Sequence, residues 1–506
     1  MHMSDHSLSP NQTGISAYPD AAQIYKQLDR LMTFEPLRFC PEATEAYHRF
    51  FNEQCSRSRA MTEEAKTFIP GGVQHNLAFN HPFPLVIDRS EGPYLYDIDG
   101  HRYIDFLQAG GPTILGGNDP TVRGQVLDVL SHVGPSTGLF HEFELKLAKE
   151  INRHIPSVEM FRMLGSGTES VMAAIRVARL ATKKRKVVKI GGAYHGWSDQ
   201  LVYSLKIPRT RRFEAHGIPR AATRHTREAA PNDLASLERV LRRNRLSGGT
   251  ACVLIEPVGP ESGTRPVSFD YNAGVRRLCD RYGALLVFDE VVTAFRLGLG
   301  GAQGFFGVRP DLTCFGKIVA GGYPSAGGLG GRRDLMRLVA AGIESGRKRA
   351  YVGGTMAANP LSAAAGYFTL KEIERTGACE KAGRAGDRLT RGLQALLEKH
   401  HLPAVAYNQG SICHLEMVGG MFIRLDYLRI LSVLKEIKVR KALMEEYGAA
   451  YMAEGLVTLA GSRMYTSAAD TDDVIDDALA RFARVLGRVE RPVARGASQA
   501  AGEGVT

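Results

Sequence analysis

The chain has 506 residues, of which 44% are hydrophobic and 23% charged, and its formal net charge is +11. This composition is typical of a soluble globular protein, and the length favours one large domain with a smaller one. The basic residues are spread along the chain, so the charge does not indicate a nucleic-acid partner. The sequence contains no run of about 18 apolar residues, the length that a membrane-spanning helix requires.

Metal binding and secretion are not expected either. The seven cysteines are widely spaced and form no CxxC pair, which argues against a zinc site or a disulfide framework. The first residues, MHMSDHSLSPNQ, are polar and lack the apolar region of a signal peptide. We therefore expect a cytoplasmic protein without a metal.

Hydrophobic patterns divide the chain into five segments. Residues 1–60 mix polar stretches with short amphipathic pieces, and we interpret them as an N-terminal arm or extension. Residues 84–106 alternate apolar and polar side chains around two turn signals, which predicts a small β meander. The predicted segments are the arm at 1–60, part of a small domain at 61–115, a large domain at 116–375, the rest of the small domain at 376–490 and a flexible tail at 491–506.

The large domain alternates short apolar runs with helical patterns. The clearest runs are VVKI at 187–190, CVLIEPV at 252–258 and ALLVFDEV at 284–291. Apolar strands separated by helices predict a mainly parallel sheet with both faces covered. We therefore predict an α/β fold in which a large domain with a mainly parallel mixed sheet is joined by a smaller α+β domain from both ends of the chain. Such sheets bind ligands at the carboxyl ends of their strands.

The first candidate site is GSGTES at 165–170, which precedes the helical pattern VMAAIRVARLA. Backbone amides at such a helix start, together with the hydroxyls of Ser166 and Thr168, suit a phosphate group. Gly-Ser turns before helices more often serve as plain caps. The motif alone is therefore weak evidence for a ligand.

Three further side chains follow predicted strands or turns. Tyr194, in the sequence AYHGW, can lie flat on a cofactor ring when the turn at His195 and Gly196 presents it. Asp289 ends an apolar strand, where a carboxylate can keep a pyridine nitrogen protonated. Lys317 is set among apolar residues, and a partly desolvated amine can attack an aldehyde. Each residue also has a structural alternative. Tyr194 can pack in the core, Asp289 can cap the next helix, and Lys317 can lie on a solvated loop.

The order of these candidate residues and the sequence segments around them resemble those of class III (fold type I) pyridoxal-phosphate aminotransferases. The resemblance is strongest to glutamate-1-semialdehyde 2,1-aminomutase and its transaminase relatives. The resemblance covers roughly residues 60–490. The matching sequence segments are LYDIDGHRYIDF, AYHGW, IEPV, GALLVFDEV, PDLTCFGK and GGLGGRRDLM. The resemblance implies a fold type I enzyme that uses pyridoxal 5'-phosphate (PLP), an amino donor and a carbonyl acceptor.

The resemblance also implies roles for the matched residues around the cofactor ring. Lys317 would bind PLP as a Schiff base and carry the proton that moves during amine transfer. Asp289 would pair with the pyridine nitrogen. Val291 would pack on the ring face opposite Tyr194, with His195 in the turn beside it.

The phosphate is the second group for which the resemblance implies partners. Ser166, Gly167 and Thr168 look like its cradle. Thr355, in YVGGTMAANP, looks like the threonine that family members lend to the phosphate of the neighbouring subunit. The resemblance therefore implies a homodimer with shared active sites.

Two departures from the aminomutase pattern bear on the reaction. Where that pattern usually has an arginine for the substrate carboxylate, this chain has Leu77 or Ala78, neither of which can bind a carboxylate. Glu261 matches a glutamate that pairs with a C-terminal arginine in ornithine and 4-aminobutyrate transaminases, and Arg463 is the candidate partner here, although a structural use of Arg463 is an equal alternative.

We therefore favour amine transfer from a donor such as glutamate or alanine to an aldehyde or ketone, for instance an amino-sugar precursor. Intramolecular amine transfer of the aminomutase kind, or epimerisation, is the alternative, because similar proton transfers serve both.

Overall fold

The computed structural model describes residues 13–78, 80–340, 342, 348–425, 428 and 430–495. The first twelve residues of the predicted arm and residues 496–506 of the predicted tail lie outside these ranges. The helices are α1 Ala21–Leu31, α2 Pro41–Gln54, α3 Ser56–Ala65, α4 Pro120–His132, α5 Glu142–His154, α6 Gly167–Thr182, α7 Arg220–Thr223, α8 Leu234–Arg245, α9 Pro260–Gly263, α10 Tyr271–Tyr282, α11 Gly301–Phe306, α12 Arg333–Met336, α13 Pro360–Thr376, α14 Ala378–Lys399, α15 Ile430–Ala453 and α16 Asp472–Leu486. The strands are β1 Ile87–Glu91, β2 Tyr94–Asp97, β3 Arg102–Asp105, β4 Met160–Leu164, β5 Lys186–Ile190, β6 Thr226–Ala229, β7 Thr250–Ile255, β8 Leu285–Asp289, β9 Leu312–Gly316, β10 Gly327–Gly331, β11 Val405–Gln409, β12 Ile412–Glu416, β13 Leu456–Val457 and β14 Arg463–Tyr465.

The chain divides into two compact units. Unit 1 comprises the described residues among 1–18, 111–114 and 120–380, and unit 2 comprises those among 19–110, 115–119 and 381–506. The predicted domain limits, at 60/61, 115/116, 375/376 and 490/491, were drawn from patterns alone and stay predictions. The arm was predicted at 1–60, and the helices α1 and α2 and the first part of α3, which lie in that segment, are grouped with unit 2.

Unit 1 is built on a seven-stranded sheet with the order β4-β10-β9-β8-β7-β5-β6. Neighbouring strands from β9 to β6 are parallel, whereas β10 is antiparallel to both β9 and β4. Strands β5, β7 and β9 are buried along their whole length, as expected when helices cover both faces of a sheet. The predicted mainly parallel mixed sheet and α/β fold are confirmed.

Helix α6 packs on this sheet and begins at the candidate phosphate motif. Ser166 is its N-cap, and the Ser166 hydroxyl accepts a hydrogen bond from the Glu169 amide. Its alanine-rich and β-branched face joins a core cluster with residues of β7, β8 and β9. The helix ends at Lys183, which has a left-handed backbone conformation.

Unit 2 contains a four-stranded sheet, β1-β2-β3-β13, and a three-stranded antiparallel sheet, β11-β12-β14. The antiparallel pairs β1-β2 and β2-β3 confirm the predicted meander. Buried apolar residues of α1 and α2, including Ile24, Leu28 and Tyr47, share one core cluster with residues of α14 and α16. Among the described residues, no helix is both long and apolar enough to cross a membrane.

Candidate active site

Asp289 lies at the carboxyl end of β8 and is buried. Its Oδ2 lies 2.7 Å from Nδ1 of His195, and its Oδ1 accepts a hydrogen bond of 3.1 Å from the Val291 amide. Because an ionised carboxylate only accepts hydrogen bonds, the proton of the His195 ring belongs on Nδ1 in this pair. Two partners therefore fix the direction of the Asp289 carboxylate.

His195 is a buried imidazole at the end of the turn that follows β5. Burial lowers the pKa of His195, although the hydrogen bond to Asp289 opposes this effect. Its Nε2 is buried and has no hydrogen-bond partner among the described residues. The sequence placed His195 only in the turn beside Tyr194 and gave no indication of this contact with Asp289.

The start of α6 lies beside these residues, and the first backbone amides of a helix have no acceptor within the helix itself. The Glu169 carboxylate accepts a 2.8 Å hydrogen bond from the Gly165 amide, and the Ser166 hydroxyl caps the Glu169 amide at 3.2 Å. A Cβ added to Gly167 would lie 2.9 Å from a methyl carbon of Val291. Because α6 has 16 residues, the positive end of its dipole and its unpaired amides can hold an anion.

Gly196 brings the turn after β5 into contact with the same helix start. Its φ is +83°, and an added Cβ would lie 2.8 Å from Cα and 2.5 Å from Oγ1 of Thr168. Glycine is the residue that suits both this left-handed conformation and this close approach. The contact joins the His195 turn to the predicted phosphate cradle.

Lys317 follows β9 directly and begins a short 3-10 turn, Lys317–Ala320. Its φ is +50°, a conformation that costs a residue with a side chain about 1–2 kcal/mol. The pairing of Asp289 with Cys314 in the β8-β9 register puts the ends of both strands at one edge of the sheet. A Cβ added to Gly316 would lie 2.7 Å from Val291, so Val291 packs between the Lys317 turn and the start of α6.

Ser170 connects the three elements that carry this site. Its buried hydroxyl lies 2.9 Å from the Ser166 carbonyl oxygen and 3.0 Å from the Phe315 carbonyl oxygen, and it accepts a 2.8 Å hydrogen bond from the Gly328 amide. These contacts hold the first turn of α6 against β9 and β10. The sequence placed Ser170 in the motif but assigned it no role.

Tyr194 stands at the rim of the site with about half of its surface exposed. Burial of the rest, together with the charges of Glu261 and Asp289, raises the pKa of its phenol. Val291 is half-buried and follows β8, whereas Tyr194 follows β5. Both side chains therefore lie at the carboxyl edge of the sheet, as the predicted stacking on two ring faces requires.

Two ionisable side chains near Tyr194 were missed by the sequence analysis. The fully buried Lys189 amine donates 2.7 Å hydrogen bonds to the carbonyl oxygens of Ala193 and Tyr203. Glu256, just beyond β7, accepts hydrogen bonds from the Tyr194, Glu261 and Ser262 amides. A lysine within an apolar strand and a glutamate directly after another were the available signals.

Thr355 is exposed and lies in the segment before α13. Exposed apolar side chains occur close to it in sequence, at Tyr351 and Met356, and the Ser136 hydroxyl lies 4.0 Å from the Met356 sulfur. The His141 ring also contacts the Ala358 carbonyl at 2.9 Å. The predicted role of Thr355 toward a neighbouring subunit stays a prediction.

The predicted substrate residues belong to different units. Glu261 in unit 1 has a φ of +55°, and Arg463 in β14 of unit 2 lies opposite His414. Their pairing stays a prediction. In unit 2, the Leu77 side chain lies so close to Gly110 that a Cβ added to Gly110 would lie 2.9 Å from a methyl carbon of Leu77. The side chain of Ala78 lies outside the described residues.

Comparisons with known proteins identify similar aminotransferases by sequence and by structure. A family model described as aminotransferase class-III matches residues 77–468. A crystal structure of an omega-transaminase from Sphaerobacter thermophilus is similar at 26% identity and a TM-score of 0.76, covering 87% of this chain and 99% of that one. A β-phenylalanine aminotransferase from Variovorax paradoxus is similar at 27% identity and a TM-score of 0.76, covering 88% and 97%. A glutamate-1-semialdehyde aminomutase from Pseudomonas aeruginosa, at 23% identity and a TM-score of 0.73 over 94% and 99%, shares the fold.

Proposed function

Because the chain belongs to the class III aminotransferase family and is a PLP-dependent aminotransferase, we propose that the residues gathered at the carboxyl edge of the unit 1 sheet perform its amine transfer. The observation that carries the proposal is that Asp289 ends β8 and Lys317 directly follows the adjacent paired strand β9, beside the start of α6 at Ser166. The substrates are an amino donor and a carbonyl acceptor.

The chemistry of these side chains fits PLP. The amides at the start of α6 and the Thr168 hydroxyl suit its phosphate. The buried Asp289 carboxylate, held by His195, suits a protonated pyridine nitrogen. Lys317 supplies the amine that reacts with an aldehyde. When bound, PLP supplies an electron sink that makes the hydrogen on the amine-bearing carbon acidic.

Each residue then has a defined task. Asp289 keeps the ring nitrogen charged, and His195 holds the Asp289 carboxylate in place. Tyr194 and Val291 exclude water from the two faces of the ring. The Lys317 amine would take up the proton that leaves the amine-bearing carbon of the substrate.

The proposal extends to a homodimer in which Thr355 completes the phosphate site of the partner. The exposure of Thr355, Tyr351 and Met356 supports it, because such apolar side chains favour burial against another surface. Mixing inactive Lys317→Ala chains with weakly active Thr355→Val chains should restore activity, since one site of each mixed dimer would be intact. Additive activities without restoration would contradict a shared site.

We favour intermolecular transfer to an acceptor that is bound differently from glutamate-1-semialdehyde. The choice is supported by the sequence, which has Leu77 or Ala78 where the aminomutase pattern usually has an arginine for the substrate carboxylate. A small aldehyde or ketone, such as an amino-sugar precursor, is the proposed acceptor class. Aminomutase or epimerase chemistry remains the second candidate, supported by the shared fold of the aminomutase.

The test is a spectroscopic half-reaction. L-glutamate, L-alanine and β-phenylalanine are added singly to the holoenzyme, the last because one similar structure is named for it. At least one donor should convert the visible cofactor band to that of the pyridoxamine form, and pooled aldehydes or ketones should then restore it. Efficient isomerisation of glutamate-1-semialdehyde without any donor half-reaction would overturn the proposal.

A further inference from the structure

The peptide bond between Ala193 and Tyr194 is held at both of its polar ends. The Lys189 amine donates a 2.7 Å hydrogen bond to the Ala193 carbonyl, and Glu256 Oε1 accepts a 3.1 Å hydrogen bond from the Tyr194 amide. The side chain of Lys189 is fully buried, where an amine needs such partners to offset its desolvation. A cation and a carboxyl group therefore fix the orientation of the peptide that precedes the Tyr194 ring.

The same carboxyl group holds a second segment. Glu256 also accepts hydrogen bonds from the amides of Glu261 at 3.0 Å and Ser262 at 2.6 Å. Both residues have a φ of +55°, which is unfavourable for residues other than glycine and persists only where contacts enforce it. Glu256 thus connects the Tyr194 turn to the segment that carries the candidate substrate residue Glu261.

Charge links the two side chains across this peptide. Burial lowers the pKa of Lys189 to about 8, while Glu228 and Glu256 oppose this effect. Burial, together with the charges of Glu261 and Asp289, raises the pKa of Glu256 to about 8. Each group is therefore costly to leave buried without the contacts described above.

We propose that Lys189 and Glu256 are positioning residues that act through the Ala193–Tyr194 peptide, holding the Tyr194 ring at the cofactor face and coupling it to the Glu261 segment. This inference rests on the proposed stacking of Tyr194 on PLP. Neither residue touches the reacting atoms in this scheme. Their removal should loosen the turn and weaken cofactor binding even before any substrate is present.

The chain contains one tryptophan, Trp197, which is exposed and three residues beyond Tyr194. Its fluorescence therefore reports on this turn in the apoenzyme, and the measurement requires neither enzymatic activity nor bound cofactor. Lys189→Met and Glu256→Gln should lower the fluorescence anisotropy of Trp197, because a loosened turn lets its ring move more freely. Lys186→Met is the matched control, because Lys186 is a buried lysine of the same strand whose amine contacts the Ser247 hydroxyl at 2.8 Å instead.

Cofactor affinity gives the second readout. Lys189→Met and Glu256→Gln should each raise the dissociation constant of PLP about tenfold, because the peptide that precedes the Tyr194 ring loses or weakens one of the two hydrogen bonds that hold it. In a Tyr194→Ala background, Glu256→Gln should raise it less than about threefold, because the ring it positions is absent. A merely structural role would give the same factor in both backgrounds.

The outcomes separate this inference from the proposed function. Unchanged Trp197 anisotropy and PLP affinity in both variants, or equal changes in Lys186→Met, would overturn the positioning role. Failure of Tyr194→Ala itself to weaken PLP binding would instead contradict the stacking on which the inference rests. If Lys189→Met does not fold, the isosteric Glu256→Gln cycle decides the question alone.

Discussion

The contact between Gly196 and Thr168 allows a quantitative prediction. In Gly196→Ala, the left-handed conformation at φ +83° costs about 1–2 kcal/mol. The new methyl would lie 2.8 Å from the Cα of Thr168, which belongs to α6 and cannot move without shifting the helix start. Such overpacking adds about 1–3 kcal/mol. The total loss of stability should therefore be about 2–5 kcal/mol.

Gly217→Ala separates the two contributions. Gly217 has a φ of +75°, but an added Cβ would meet no atom within 4 Å. It should therefore lose only the conformational part, about 1–2 kcal/mol. Urea unfolding of both apoenzymes measures the difference.

The overpacking should also separate the His195 turn from the phosphate cradle. Gly196→Ala should therefore raise the dissociation constant of PLP at least about fivefold, the factor given by 1 kcal/mol, whereas Gly217→Ala should leave it unchanged. Equal stability and equal PLP affinity in the two variants would refute the close approach of Gly196 to Thr168.

Three further predictions concern single side chains. Ser170→Ala should lower the free energy of unfolding by about 1–3 kcal/mol, because the buried Gly328 amide loses its acceptor, and an unchanged urea midpoint would contradict this. Asp289→Asn should slow the donor half-reaction at least roughly 100-fold in stopped-flow absorbance, and a near wild-type rate would remove Asp289 from the mechanism. Burial raises the pKa of Glu256 from 4.5 to about 8, so the native apoenzyme binds more protons than the unfolded chain between these values. Its melting temperature should therefore fall as pH rises through this window, and fall less in Glu256→Gln; parallel pH profiles would contradict the raised pKa.

Local patterns predicted the parts of the fold that depend on neighbours in sequence. The apolar runs at β5, β7 and β8 and the capped start of α6 were identified because strand burial and helix capping are local. The run at 252–258 was predicted as one strand, whereas β7 ends at Ile255, and the polar Glu256 that follows it bonds to three backbone amides. The sequence around 252–258 could not indicate this role of Glu256, because one of its partners, the Tyr194 amide, lies far away in sequence.

In the candidate site, too, features that depend on neighbours in sequence were predicted, whereas contacts between distant segments were not. Asp289 and the 166–168 motif were predicted as site residues from a strand end and a helix start, and Lys317 from its apolar neighbours; the structure places all three at one edge of the sheet, and their roles stay predictions. The partnership of His195 with Asp289 and that of Lys189 with the Ala193 carbonyl were not found, because they depend on how the chain turns after β5. The antiparallel direction of β10 was also not predicted, because its glycines carry no periodic pattern.

The central claim is that Lys317 holds the cofactor. Borohydride reduction of the holoenzyme followed by peptide mapping tests it directly, because reduction makes the link between PLP and its lysine permanent. The chain offers another candidate amine in Lys189, which is fully buried in β5. We predict one label per chain on the peptide that contains Lys317 and none in Lys317→Ala. A label on Lys189, or no label on any peptide, would contradict the account.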